Sequence, residues 1–445
     1  MAAQEKREVA PAPGAIRPAS SPPRPHSSPS GPTTSPDLDA SAVPDGGFEA
    51  WLVVAGSIVV LFYTWGIINS FGVFQTYYRT DLLRTSSSSD ISWIGSLQGA
   101  LPAMGGVFTG PLYDAGYFRG LIIVGNVLVV LGMFMTSLCT QYWQIILAQG
   151  VCVGVGCGIM FLPSAAVVSQ WFAKRRGLAL GVQSIGSPIA GILLPIMFGR
   201  LQPQIGFGWA TRAIAFLMLA LSVIPITSMK TRVPRAAKRR AFFDKSILTD
   251  LPFLLFVAQM FCTYLGMYVP FFYVQLYSVK MGISSTEFSP YLVTILNAGS
   301  IFGRVVPNYF ADRFGPIQML IFTTFASAVL IFSWIGIKNL PGLIVFCILY
   351  GFFSGGITSG TLAAMVPYVP NLERLGTRMG TFFFAMGVSV LIGTPIGGAI
   401  LGNGNEASWK GLIAYGGATL LAGDVLLVVS FILHRKGEKG VDGVR

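Results

Sequence analysis

Long apolar runs dominate this chain and leave it few ways to fold. Twelve of them, each about long enough to cross a bilayer at ~1.5 Å of rise per residue, are joined by short polar turns, six before and six after a basic stretch in the middle of the 445 residues. The first four run at about Trp51–Tyr78, Trp93–Leu112, Leu121–Leu138 and Trp143–Val168; a glycine-rich fifth follows Arg176, and the sixth covers about Trp209–Met229. The second half repeats the pattern at about Leu251–Tyr277, Phe288–Phe310, Ile317–Ile337, Gly342–Val366, Met379–Leu401 and Gly411–Leu433. Only 11% of the residues are charged and 53% are hydrophobic, against roughly 25% charged in a soluble domain. The expected fold is an all-α membrane protein with twelve transmembrane helices in two six-helix pseudo-repeats.

The stretch Lys230 to Lys245 divides the two halves. It carries seven cations (Lys230, Arg232, Arg235, Lys238, Arg239, Arg240 and Lys245) against one acid, Asp244. Such a run resists translocation and by the positive-inside bias faces the cytoplasm. Alternating the spans from that point puts eighteen cations on the cytoplasmic loops and C-terminal end and seven on the opposite loops. Both termini are then cytoplasmic. The net charge of +12 would suggest a nucleic-acid partner in a soluble protein, but cations flanking apolar spans suit an anionic inner leaflet. The expected partners are the lipid bilayer and a small-molecule substrate, with no nucleic acid. The layout is a disordered cytoplasmic tail over 1–44, rich in Pro, Ser and Ala, a first bundle over 45–229, the basic loop over 230–249, a second bundle over 250–434 and a short tail over 435–445. The plasma membrane is the expected location, with a vacuolar or other organelle membrane the alternative.

Catalytic chemistry finds little material. The five cysteines lie within or at the edge of apolar runs, which implies no disulfide framework or metal site. The two histidines, His26 and His434, stand at opposite ends of the chain. No Gly-x-x-x-x-Gly-Lys-Ser/Thr phosphate loop is present. The chain reads as a non-enzyme without cofactor, driven by a gradient rather than by ATP.

Three motifs sharpen this. At the membrane entry stands Pro44-Asp45-Gly46-Gly47-Phe48-Glu49-Ala50-Trp51. After the second run comes Gly110-Pro-Leu-Tyr-Asp114-Ala-Gly116-Tyr-Phe-Arg119, in which glycine permits a tight turn while Asp114 and Arg119 can form pairs that break and reform. The third is Trp171-Phe172-Ala-Lys174-Arg175-Arg176-Gly177-Leu-Ala-Leu-Gly181, a cationic cap on a glycine-rich helix. The first and third resemble the two signatures of the monocarboxylate porters, in the variant found among fungal members of that branch of the major facilitator superfamily. The second resembles the superfamily's cytoplasmic loop between helices two and three. The resemblance covers residues 45 to about 435 and implies alternating access by two bundles.

The halves also echo each other. Gly105 and Asp114 correspond to Gly303 and Asp312, and Gly186-Ser-Pro-Ile-Ala-Gly191 corresponds to Gly393-Thr-Pro-Ile-Gly-Gly398, as two six-helix repeats require. Gly150, Gly154 and Gly158 recur at four-residue spacing and read chiefly as close helix packing.

Ionisable groups within spans cost about 2.5–3.5 kcal/mol on insertion scales, so each asks for a reason. Arg304 lies eight residues before Asp312, roughly 12 Å in from the loop. A guanidinium can hold a carboxylate through two parallel hydrogen bonds, and by the resemblance Arg304 matches the porters' substrate-binding arginine. The competing reading is a structural arginine on a backbone carbonyl or a nearby acid. Asp424, deep in the last span, is a candidate for proton coupling, with a buried structural pair or a neutral acid as the alternative. Two departures count against lactate-type symport: the porters' acid one turn before the arginine falls at Ser300, and their first-helix lysine at Asn69. Asn69, Gln98, Gln183, Tyr264, Tyr268, Asn297 and Thr358 are candidates to line a roomier cavity; Arg304, Asn69, Asn297 and Tyr264 are the substrate-binding set. Asp114, Arg119, Asp312, Arg313, Lys174, Arg175 and Arg176 are the gating and loop set. Three functions remain open: an organic-anion carrier, a carrier of a larger or neutral metabolite in either direction, and a non-transporting solute sensor.

Overall fold

The computed structural model describes residues 46–172, 175–232, 247, 249–368, 372–402 and 404–442, without the side chains at 114, 176, 177, 312, 372–377 and 437–442. The N-terminal tail over 1–44, most of the basic loop, and Lys174 lie outside the described residues.

Helices account for nearly all of this. The first half comprises α1 (Phe48–Tyr63), α2 (Trp65–Asn69), α3 (Phe71–Tyr77), α4 (Ser88–Asp114), α5 (Phe118–Thr136), α6 (Tyr142–Ile145), α7 (Gly154–Trp171), α8 (Arg176–Ser184) and α9 (Gly186–Ser228). The second comprises α10 (Leu251–Met267), α11 (Val269–Lys280), α12 (Ser289–Phe314), α13 (Pro316–Trp334), α14 (Leu340–Met365), α15 (Leu372–Leu401) and α16 (Glu406–Asp442). Among the described residues, eight helical stretches are long and apolar enough to cross a membrane. The longest, Leu178–Ser228, holds the expected fifth and sixth runs, which meet at Gly206 (φ 78°) without a loop.

The expected first, second and eighth runs fall outside those eight stretches. The first is broken into α1, α2 and α3: Thr64 leaves helical geometry (φ −75°, ψ −83°) between α1 and α2, and Ser70 (φ −93°, ψ −4°) stands between α2 and α3. There Gly66 and Gly72 bring the chain against other helices: a Cβ on Gly66 would lie 2.3 Å from the Ala190 Cβ, and one on Gly72 2.3 Å from the Phe271 carbonyl oxygen. The second and eighth, α4 and α12, carry Gln98, Asn297 and Arg304, and these polar groups lower their mean hydropathy. They are also two of the helices that meet across the halves.

Helix ends follow local chemistry. Ser87 and Asp90 form a capping box at the start of α4. The Asp250 side chain accepts from Phe253 N to cap α10, and Asn339 does the same for α14. Gly315 (φ 96°) ends α12 and hands directly to Pro316 of α13.

Small residues set how closely the helices approach, since in lipid the association rests on packing rather than on excluding water. Gly150, Gly154 and Gly158 all face α4: a Cβ would lie 3.4 Å from Ile94 O, 2.7 Å from a Leu101 methyl and 2.6 Å from Leu101 O, respectively. The packing reading of this glycine run holds. In the second half Gly303 of α12 comes still closer to α14, with a Cβ 1.8 Å from Phe352 O.

The halves meet along α3 and α11, α4 and α15, and α9 and α12. Phe71 packs on Phe272 at 4.9 Å between centroids. The Ser96 and Thr394 hydroxyls bond each other, Ser89 donates to Pro395 O, and Arg200 Nε donates to Tyr291 Oη. These links begin near the helix ends remote from the basic loop and continue inward to Arg304.

Candidate functional site

Arg304 lies on α12, the helix that faces α9. Its side chain is 7% exposed. Nη1 donates to Ser184 O at 2.9 Å, and Nη2 to Ser187 Oγ at 3.3 Å. Both acceptors flank the joint between α8 and α9, where Gly186 lets that helix press on α1: a Cβ there would lie 2.0 Å from Ile58 O. The arginine thus spans the two halves.

Ser187 is shared. Asn69 Nδ2 also donates to its Oγ at 2.8 Å, and Asn297 Nδ2 reaches Asn69 O at 3.4 Å and Val293 O at 2.9 Å. Asn297 lies two turns from Arg304 on the same face of α12 and fills the space left by Gly191, whose Cβ would sit 2.2 Å from its amide. Tyr264 of α10 and Tyr268, which joins α10 to α11, are near enough to interact electrostatically with Arg304. The structure therefore brings Arg304, Asn69, Asn297 and Tyr264 into one neighbourhood. Ser184 and Ser187 were missed as members of it, although the repeated Gly-Ser/Thr-Pro segment pointed to the place.

The network is incompletely satisfied. A guanidinium has five N–H donors; Nε is buried without a partner, as is Asn297 Oδ1. No described carboxylate forms an ion pair with Arg304. A buried cation without a counter-charge is costly, and the arrangement can be relieved by an anion offering two acceptors.

Asp424 is elsewhere. It is buried on α16, which packs chiefly on α10 and α13. Its neighbour Gly423 abuts Thr263 and Gln259, residues of α10 one and five positions before Tyr264. Asp424 Oδ1 has no hydrogen-bond partner. Of the other candidates, Gln183 accepts from Ser57 Oγ and Thr358 bonds Gly355 O within its own helix, while Gln98 is buried with both amide atoms unpartnered. Arg119, Arg175 and Arg313 are exposed; the side chains of Asp114, Asp312 and Arg176 are outside the described residues.

At the basic-loop end, two anchors hold the ends of that loop. Trp171 Nε1 donates to Lys230 O at 3.0 Å, with the Arg232 guanidinium 5.9 Å from its ring. In the second half Arg378, 2% exposed, pairs with Asp250 at 2.6 Å, donates to Tyr368 O, and lies 4.6 Å over the Phe253 ring.

An all-helical membrane protein with a polar site between its chain halves is the architecture of a multi-pass carrier, and the comparisons name the family. The sequence profile of the Major Facilitator Superfamily matches residues 52–340 and 291–445. The MFS-type transporter dbaD of Emericella nidulans is 42% identical over 387 residues, covering 86% of each chain. The aspyridones efflux protein apdF of the same species is 37% identical, covering 91% of this chain and 83% of its own. A nucleoside transporter of known structure superposes with a TM-score of 0.69 at 11% identity, over 85% of this chain and all of that one. This chain belongs to the major facilitator superfamily; it is a membrane transporter and not an enzyme.

Proposed function

We propose that the protein is a secondary transporter of an acidic organic solute, which Arg304 binds together with Asn69, Asn297 and Tyr264 while two six-helix bundles, twelve spans in all, alternate access around them. The observation that carries this reading is the buried guanidinium between the halves, with no described carboxylate partner and an unpartnered Nε. A solute carboxylate would take the guanidinium away from Ser184 O and Ser187 Oγ, exchanging a bond between the halves for a bond to cargo. Substrate binding and opening of the interface are then the same event.

Export of a metabolite is the direction we favour, supported by the likeness to an efflux protein. The motifs at 45–51 and 171–181 support kinship with the monocarboxylate-porter branch, and the cation distribution supports cytoplasmic termini; the plasma membrane is the location we propose. A proton gradient is the proposed drive. Asp424 is the candidate titrating group, supported by its burial and unpartnered oxygen.

Counterflow of labelled carboxylic acids in proteoliposomes, with and without an imposed proton gradient, tests this. Arg304→Lys keeps the charge but loses the fork, and should lower the apparent affinity by about 10- to 100-fold. Unchanged transport in that variant and in Arg304→Ala would sink the assignment.

A further inference from the structure

A row of aromatic side chains starts one turn from the polar network. Trp65 and Asn69 are the two ends of the short helix α2, so they share a face at i, i+4. The Trp65 ring meets Phe161 of α7 at 5.6 Å and 79°, and Phe161 meets Phe383 of α15 at 5.8 Å and 85°. The row therefore passes from the first half of the chain to the second, as Arg304 does in the opposite sense. All three rings are only partly buried, whereas the aromatic pair at the remote end of the same interface, Phe71 and Phe272, is fully buried.

Each edge-to-face contact occupies one face of one ring, so the three such contacts of these rings, the third being that of Phe382 with Phe383, leave at least half of their faces without an aromatic partner. A surface of this kind, one turn from Asn69, which shares Ser187 with the Arg304 guanidinium, matches a solute with a planar conjugated body and an acidic group. We infer that Trp65, Phe161 and Phe383 form the subsite for the body of the cargo, and that they select flat aromatic acids over saturated ones. This inference rests on the proposed acid binding at Arg304 and adds the class of cargo to it.

Two acids with the same carbon skeleton separate shape from charge: 2-naphthoate, and its saturated counterpart decahydro-2-naphthoate. Binding of each to the full-length protein in lipid nanodiscs is measured by titration calorimetry, with neutral 2-naphthylmethanol as a third probe. The wild type should prefer 2-naphthoate by about three- to tenfold, the range expected of one or two stacked rings. Trp65→Leu and Phe161→Leu should each reduce that preference, and their combination should abolish it while the saturated acid binds as before. Arg304→Gln should weaken both acids alike and leave the preference intact. Equal wild-type affinity for the two acids, or a preference that survives the double variant, overturns the aromatic subsite. If the neutral alcohol binds as well as 2-naphthoate and loses affinity in the double variant, the subsite stands and the acid reading falls. If none of the three binds, both fall.

Discussion

The Gly-Ser-Pro segment at 186–188 and the Gly-Thr-Pro segment at 393–395 are two copies of one device put to different uses. In both, the glycine is pressed against the first helix of its own half: Gly186 on Ile58 O and Gly393 on Leu265 O, with would-be Cβ distances of 2.0 and 2.4 Å. The spacing between copies is the same for both partners (393 − 186 and 265 − 58). In both, the next residue offers a hydroxyl to the opposite half. Thr394 bonds the neutral Ser96; Ser187 receives Asn69 from its own half and Arg304 from the other. The scaffold is repeated and the charge is not. By the offset that relates Gly105 to Gly303, the counterpart of Arg304 is Gly106. A duplicated frame with one unduplicated cation has neutral hydroxyls meeting at one copy of the device and a buried guanidinium, the proposed anion site, at the other.

Three further measurements bear on this asymmetry. The largest effect should come from the anchors of the central loop, which also differ between halves. Asp250→Asn would leave Arg378 buried without its counter-charge. It should cost roughly 2–3 kcal/mol, below the ~3–5 kcal/mol of a fully buried pair, because Asp250 is 29% exposed. Trp171→Phe in the first half removes a neutral bond to Lys230 O while keeping a ring near Arg232, and should cost about 0.5–1.5 kcal/mol. Denaturant unfolding in detergent checks both, and equal losses would mean that the two anchors are equivalent after all.

The hydroxyls come next. Ser187→Ala takes an acceptor from a charged donor, worth about 1.5–3 kcal/mol, and should change the apparent substrate affinity. Thr394→Ala loses a neutral bond of about 0.5–1.5 kcal/mol and should leave affinity unchanged while altering the balance between conformations, read by the accessibility of a cysteine introduced at Phe71. A matching affinity change in both variants would erase the distinction between site and seam. The smallest effect is expected at the surface: Glu406 pairs with Lys410 at 3.1 Å and Lys338 at 3.7 Å, all three exposed. Exposed pairs of this kind are screened by salt, so Glu406→Gln should produce no resolvable shift of the unfolding temperature at physiological ionic strength.

Much of this was legible beforehand for a definite reason. A bilayer allows little but helices for a chain this apolar, so the length and order of the apolar runs are nearly a description of the fold. The repeat was readable because the positions that carry it are glycines, and a backbone contact tolerates no side chain. Arg304 was conspicuous because a cation in such a run is expensive. The break at Thr64 was not legible, since it falls in a stretch whose apolar composition continues on either side.

Composition and patterning alone therefore determined an all-helical membrane protein, its two echoing halves and a short set of polar residues within the spans. Only the tertiary structure decided which of those residues meet. Asn69, Ser187, Asn297 and Arg304 come from three different parts of the chain, and their contacts depend on how glycines let α2, α9 and α12 approach one another. It also parted Asp424 from that group, because α10 lies between them. Hydropathy reports how deep a residue sits; the neighbours it faces are set by the rotation and spacing of whole helices, which packing alone fixes.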